Sequence, residues 1–202
     1  MFNVKKFGLM ALAVGMMAAP AMAAPKVGEA APDFTATDVH GKEFKLSDHQ
    51  GKTVVLEWTN NECPFVVKHY GSGNMQALQK EARAQGVEWI SIISSAPGRQ
   101  GHVTDAEALK IAEDKGATPT TIIRDESGKV GKMYDAKTTP HMFVINAEGT
   151  LVYDGAIDDN SSPRASTIEG ANNYVRAALT SLKDGTEIAT SKTQPYGCGV
   201  KY

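Results

Sequence analysis

The sequence predicts a mixed α/β fold, in which helices flank a central mixed β-sheet and a β-hairpin precedes it. Three observations predict this fold. Apolar, β-branched runs of strand length alternate with segments of helical periodicity along the 202 residues. Two short N-terminal runs, 32–36 and 43–46, are joined by a turn, and a second hairpin signal lies at 147–149. Strands joined through helices should be parallel, and the last hairpin should add antiparallel edge strands.

The order of the predicted helices and strands along the chain agrees with this fold. After the first hairpin, residues 53–58 form a nearly continuous apolar run that is typical of a buried central strand. A helix should begin at Pro64, because proline suits the first helical position, and should be interrupted at 71–73. The remaining predicted elements are a helix at 75–85, a strand at 87–93, a helix at 105–115, a strand at 120–124, a short helix within 125–134, strands at 141–146 and 151–153, and a helix at 167–182.

The first 23 residues have the three parts of a secretory signal peptide. They are Lys5-Lys6, an apolar stretch at 7–19 and the small-residue motif Ala21-Met22-Ala23. The apolar stretch is short for a membrane span, so we expect no stable membrane insertion after signal cleavage. The sequence therefore predicts a periplasmic or secreted protein with one domain at 24–184 and a C-terminal tail at 185–202.

Charge and histidine spacing narrow the classes of partner. The formal net charge is -2 and the body of the chain has no basic run, which argues against nucleic acid as a partner. The histidines lack metal-ligand spacing. They are His40, His49, His69, His102 and His141. No metal and no other cofactor are predicted.

Cys63 is the candidate reactive residue. It lies between the strand at 53–58 and the helix that begins at Pro64, where free backbone N–H groups and the helix dipole favour an anion. That placement lowers a cysteine pKa, and the thiolate is the nucleophile in disulfide exchange and oxidation. The alternative is a buried structural cysteine.

Cys198 is the second cysteine of the chain, and it lies between Gly197 and Gly199. The glycines let the backbone bend and approach other groups closely. Three roles remain open for Cys198: a mobile resolving thiol that reaches Cys63, a permanent structural bridge to it, and a free, unpaired tail thiol. Disulfides persist in exported proteins, so the predicted compartment is compatible with the first two.

The chain resembles the thioredoxin-like superfamily, and within it the redoxin branch of alkyl-hydroperoxide-reductase and thiol-specific-antioxidant proteins. Three segments carry the resemblance: 27–34 with its Ala-Pro-Asp-Phe, 62–66 with Cys63-Pro64, and 138–145 with Thr139-Pro140. The whole pattern is most similar to the peroxiredoxin-like group of exported redoxins. The resemblance implies a thioredoxin-like fold, a cis peptide at Thr139-Pro140, and a substrate segment that pairs with the backbone there.

The chain departs from two patterns of that superfamily. Val66 occupies the position of the second cysteine of the thioredoxin motif. The peroxiredoxin Pro-x-x-x-Thr-x-x-Cys pattern is also absent, because Leu56 stands at the proline position and Thr59 lies four residues before Cys63. No arginine occurs within 138–145. A resolving thiol must therefore come from elsewhere, and disulfide exchange is favoured over peroxide reduction.

Glu57 and His141 are candidate modulators of the Cys63 thiolate, together with Pro64. Glu57 interrupts an apolar strand and is either a buried proton acceptor beside Cys63 or an outward-pointing residue. His141 follows Pro140 and either lies near Cys63, where its protonated form would favour the thiolate, or is a partly exposed residue at the start of a strand.

The sequence thus predicts an exported thiol-disulfide oxidoreductase whose partners are protein or small-molecule thiols and disulfides. Cys63 and Cys198 are the predicted catalytic residues, and Thr139 and Pro140 are the predicted substrate-binding residues. Two alternatives remain: a thiol peroxidase, in which peroxide oxidises Cys63 to a sulfenic acid, and a non-catalytic binding module with a Cys63–Cys198 bridge.

Overall fold

A computed structural model describes residues 24–202 of the chain. The predicted signal peptide at 1–23 lies outside the described residues. The strands are β1 (Thr35–Thr37), β2 (Glu43–Lys45), β3 (Val54–Trp58), β4 (Glu88–Ile93), β5 (Thr121–Arg124), β6 (Thr138–Thr139), β7 (His141–Ile145), β8 (Leu151–Gly155) and β9 (Cys198–Gly199). The helices are α1 (Pro64–Gly71), α2 (Asn74–Ala84), α3 (Asp105–Asp114), α4 (Lys129–Met133) and α5 (Tyr174–Asp184). Within 24–202, no helix combines the length and the apolar character that a bilayer crossing requires.

The central sheet has the strand order β5-β4-β3-β7-β8. β3 runs parallel to β4, and β4 runs parallel to β5, as expected for strands joined through helices. β7 pairs antiparallel with both β3 and β8, so the prediction that both strands of the last hairpin lie at the edge is wrong, and only β8 does. β1 and β2 form the separate N-terminal hairpin. The predicted mixed sheet with flanking helices and an N-terminal hairpin is therefore confirmed.

The side chains of β3 point alternately to the two faces of the sheet and contribute to a separate part of the core on each face. Val55 packs into a cluster with α1, α2 and α5. Leu56 and Trp58 point to the opposite face, into a cluster with the N-terminal hairpin and α4. Because every residue of β3 is buried, the strand is central, and its carboxyl end carries the turn to Cys63.

The last helix begins later than its apolar pattern predicts. The prediction of a helix from residue 167 is wrong, because α5 starts at Tyr174 after a short 3-10 turn at Ala165–Thr167. Gly170 adopts a φ of +81°, which takes the chain out of a helical path. The Asn173 side chain then accepts a hydrogen bond from the Arg176 N–H and caps the helix there.

The C-terminal tail contains a strand that the sequence does not predict. β9 pairs antiparallel with β6, in a two-stranded sheet apart from the central one. A parallel bridge between Ser95 and Lys201 extends the contact to the loop after β4. The tail is thus fixed at the end of the sheet where β3 delivers Cys63.

Candidate active site

A tight turn between β3 and α1 places Cys63. The buried Asn60 side chain accepts a hydrogen bond from the Glu62 N–H at 2.9 Å, and the Asn60 carbonyl accepts one from the Cys63 N–H at 3.0 Å. Cys63 is the N-cap residue of α1, and Pro64 follows as its first residue. The sulfur therefore lies where the helix dipole and free N–H groups stabilise negative charge.

The loop with Thr139 and Pro140 lies directly against Cys63. In the antiparallel register of β3 and β7, Trp58 stands opposite His141, so the two loops meet at one end of the sheet. The Cys63 Sγ lies 3.0 Å from the Thr139 carbonyl oxygen, to which the thiol form donates. The Thr139–Pro140 peptide is cis, as the resemblance implies.

The two cysteines are both free, and the Cys198 thiol is one of the groups that act on Cys63. Thr139 stands opposite Cys198 in the pairing of β6 with β9, which brings the Cys198 thiol to Cys63. Burial opposes ionisation of Cys63, but hydrogen bonds from the Cys198 thiol and the Val66 N–H outweigh it and hold the pKa of Cys63 below its usual value. Burial, with the adjacent Cys63 sulfur, raises the pKa of Cys198 to about 11. Of the two thiols, Cys63 therefore ionises at the lower pH.

Glu57 is fully buried rather than directed outward. Its carboxylate accepts hydrogen bonds from four side chains: Tyr70 at 2.8 Å, Trp89 at 2.8 Å, Ser91 at 3.1 Å and Gln79 at 3.3 Å. Burial raises the pKa of the carboxyl, although these four donors oppose the shift. Cys63 is not among its hydrogen-bond partners within the described chain. The outward-pointing alternative is therefore wrong, and the role of a proton acceptor beside Cys63 has no hydrogen bond between the two groups to support it.

His141 is buried at the start of β7 and does not hydrogen-bond to Cys63. Its Nδ1 accepts from the Lys137 N–H at 3.2 Å, so Nε2 carries the proton and donates to Asp154 at 2.9 Å. The ring also lies 4.4 Å from that of Phe143, measured between centroids. These contacts give His141 a role in fixing the loop before Pro140, and the predicted exposure of this residue is wrong.

A buried polar cluster holds the tail beside α1, and sequence reasoning misses it. Tyr196 donates to Asp158 and lies 3.1 Å from His69 Nε2, while Asn74 donates to His69 Nδ1 at 2.8 Å. The Lys68 ammonium lies 3.6 Å from Asp158, and both side chains are almost completely buried. These residues lie far apart in sequence and follow no common period. The one sequence signal is that charged and polar residues occupy positions on α1 that face the core.

We expect acid to lower the free energy of unfolding, because His69 is buried in this cluster. Burial lowers the pKa of His69 to about 4 from 6.5, with Lys68 acting in the same direction and Asp158 against it. As the pH falls from 6.5 to 4, the unfolded state takes up a proton that the folded state does not. The free energy of unfolding should therefore drop by about 3 kcal/mol in this window.

Urea unfolding at intervals between pH 4 and 7 measures this loss. His69→Gln, which keeps a donor to Tyr196 and cannot titrate, should flatten the pH dependence in that window. If His69→Gln retains the full wild-type slope, the slope belongs to other groups and the assignment to His69 is wrong.

The fold and the paired thiols at a helix N-terminus beside a cis-proline loop define a thioredoxin-like protein. The chain belongs to the AhpC/TSA family, whose family model matches residues 27–154. The predicted membership of the redoxin branch is thereby confirmed.

Known proteins with similar sequence or structure agree with this assignment. The chain is 31% identical over 125 residues to the thiol-disulfide oxidoreductase ResA of Geobacillus kaustophilus, an alignment that spans 62% of this chain and 66% of that protein. An uncharacterized conserved protein from Geobacillus kaustophilus superposes with a TM-score of 0.73 at 28% identity, over 88% of this chain and 92% of that one. A hypothetical protein from Sinorhizobium meliloti superposes with a TM-score of 0.71 at 26% identity, over 89% and 96% respectively.

Proposed function

We propose that the protein is an exported thiol-disulfide oxidoreductase in which Cys63 is the nucleophile and Cys198 its internal partner. The observation that carries the proposal is the meeting of both thiols at Thr139, which stands opposite Cys198 and has its carbonyl oxygen 3.0 Å from the Cys63 Sγ at the N-terminus of α1. The pKa of Cys63 is lowered there and that of Cys198 is raised. The similarity to ResA, a protein named for the same reaction, supports it. The export part rests on the predicted signal peptide at 1–23.

The proposed reaction passes two electrons from the two thiols to a substrate disulfide. The Cys63 thiolate attacks one sulfur of the substrate, forms a mixed disulfide and releases the other substrate sulfur as a thiolate. Cys198 then gives up its proton and attacks the Cys63 sulfur. The Cys63–Cys198 disulfide forms, and the second substrate thiolate leaves. The reverse sequence oxidises a substrate dithiol.

The pKa shifts of the pair suit this order of events. Part of the raised pKa of Cys198 comes from the adjacent Cys63 sulfur. Once Cys63 is in a mixed disulfide it has no charge, so that contribution disappears and Cys198 ionises more easily. The second thiol is thus activated only after the first has reacted.

The reduction potential of the pair tests the proposal. Mature protein is equilibrated in graded dithiol/disulfide buffers, and its free thiols are counted by mass labelling. We expect a Cys63–Cys198 potential between about -120 and -270 mV, the range of known exchange catalysts. A potential below about -300 mV would mark a structural bridge and support the binding module. If no Cys63–Cys198 disulfide forms at any ratio of dithiol to disulfide, Cys198 has no part in the mechanism.

Thiol peroxidase is the second candidate, because the AhpC/TSA family model matches the chain. Hydrogen peroxide added to the reduced protein distinguishes it from disulfide exchange. Fast, peroxide-dependent formation of a sulfenate on Cys63, followed by its condensation with Cys198, would favour the peroxidase.

A further inference from the structure

The tail from Pro195 to Tyr202, here called the docked tail, lies across the loop that flanks Cys63 as an extended strand. Cys198 and Gly199 pair with Thr139 and Thr138. The Val200 N–H donates to the Lys137 carbonyl at 3.1 Å. Towards its end, the Lys201 carbonyl accepts from the Ala96 N–H at 2.9 Å, and the Tyr202 hydroxyl donates to the Ala136 carbonyl at 3.0 Å. The tail is therefore bound mainly through its backbone, along a groove on both sides of Cys63.

The register places a cysteine of the docked tail at the reactive sulfur. Cys198 stands opposite Thr139, whose carbonyl oxygen lies 3.0 Å from the Cys63 Sγ. An extended segment whose central thiol faces Cys63 has the arrangement that a peptide substrate needs for exchange. The structure therefore displays, in one chain, how the groove holds a cysteine-containing peptide.

The position before that cysteine accepts only glycine. Gly197 has a φ of +145°, and a Cβ added to it would lie 2.0 Å from the Thr139 carbonyl oxygen, which is part of the backbone and cannot move aside. Gly199, on the other side of Cys198, is different, since its nearest neighbour would be the Lys137 carbonyl oxygen at 4.0 Å. The close approach is thus specific to the residue directly before the cysteine.

The docked tail also covers the nucleophile. Cys63 is 0% exposed, and the Tyr196 ring of the tail packs against Phe65 of α1, with 5.8 Å between ring centroids. The buried contacts of Tyr196 with His69 and Asp158 fix this part of the tail. We therefore expect a reagent in solution to reach Cys63 when the tail leaves.

We propose that the chain's own tail is the resident ligand of the groove beside Cys63, where the resemblance already implies an extended substrate segment, and that a peptide which displaces the tail carries glycine directly before its cysteine. The Thr138 and Thr139 backbone groups that would pair with a second segment are already used by the tail. An external peptide must therefore displace it. This inference deepens the proposed function and rests on it for the role of Cys63.

Alkylation of Cys63 by iodoacetamide tests the proposal. In the Cys198→Ser background Cys63 is the one remaining thiol, since the chain has two cysteines. Adding Gly197→Ala should force the tail off Thr139 and speed alkylation by about tenfold or more. The matched control, Gly199→Ala in the same background, should stay within about twofold of the parent, because its new Cβ meets nothing closer than 4.0 Å.

Peptides added in trans establish whether the groove is specific. The first peptide is the sequence 195–202 with serine at position 198, and the second has alanine at 197 as well. In the Gly197→Ala protein, an excess of the first should slow alkylation of Cys63 back towards the parent rate, and the second should not. Equal protection by both peptides, or by neither, would overturn the proposal, as would equal alkylation rates for the two glycine variants.

A chain that ends at Gln194 repeats the peptide test without the tail, in case Gly197→Ala fails to fold. Thermal unfolding reports whether each variant is folded. If the Gly197→Ala protein and the chain that ends at Gln194 are both unfolded, the proposal is overturned, because a displaceable ligand is not required for the fold. Alkylation measures access rather than exchange, so its outcome is independent of the reduction potential that tests the proposed function.

Discussion

Cys63→Ser is expected to reduce disulfide exchange by on the order of a thousandfold or more, to the uncatalysed background. The serine hydroxyl does not ionise near neutral pH, so the anion that α1 and the Cys198 thiol stabilise is lost. The measurement is the initial rate of reduction of a disulfide substrate, with a dithiol as the electron source.

Cys198→Ser is the matched control for that substitution, because it changes the partner thiol in the same way. It should keep the first step and stop at a mixed disulfide between Cys63 and the substrate, visible as a mass increase under non-reducing conditions. Exchange at the wild-type rate in Cys63→Ser would refute the assignment of the nucleophile. Full turnover in Cys198→Ser would show that an external thiol resolves the mixed disulfide.

Glu57→Ala is expected to lower the free energy of unfolding by about 3 kcal/mol or more. It removes the acceptor shared by four buried donors and leaves three of them without a partner, since Gln79 also donates to the Tyr70 hydroxyl at 3.1 Å. The cost is about 1 to 3 kcal/mol for each group that stays unsatisfied. Those donors are the side chains of Tyr70, Gln79, Trp89 and Ser91. Denaturant unfolding measures the loss. Glu43→Ala, at an exposed position of β2, is the control and should change stability by less than about 0.5 kcal/mol.

The raised pKa of Glu57 also determines whether its contribution to the free energy of unfolding rises or falls with pH. The folded state keeps the proton to a higher pH than the unfolded state, whose carboxyl ionises near 4.5. As the pH rises above 4.5, the contribution of Glu57 to stability therefore falls until its folded pKa is passed. Glu57→Gln should remove this decline. A decline of equal size in Glu57→Gln would assign it to other groups.

The order of the elements along the chain and the place of Cys63 follow from signals that are local in the chain. The apolar run of β3, the proline after Cys63 and the hairpin turn between β7 and β8 each specify a backbone path within a few residues. The topology of parallel crossovers then allows few arrangements. For these reasons the fold is predictable from sequence, whereas the meeting of Cys63 with the Thr139–Pro140 loop is what the resemblance to thioredoxin-like proteins implies.

The environment of each side chain is decided by tertiary structure. Strand alternation gives the face to which Glu57 points, but its four donors come from α1, α2 and β4. The burial of His69 depends in the same way on Tyr196 and Asp158, which lie far from it in sequence. The positions of such partners do not recur at a helical or strand spacing, so no sequence pattern predicts which residues will meet.

The sequence by itself determined the fold class, the helix N-terminus that activates Cys63 and the glycines that flank Cys198. The tertiary structure alone decided which backbone the tail pairs with and that it covers Cys63. The physical reason is that β9 is two residues long and held by backbone hydrogen bonds, which any extended segment can form. β9 can pair with β6 because Gly197 has no side chain and fits close to the Thr139 carbonyl oxygen. That neighbourhood exists only once the chain has folded.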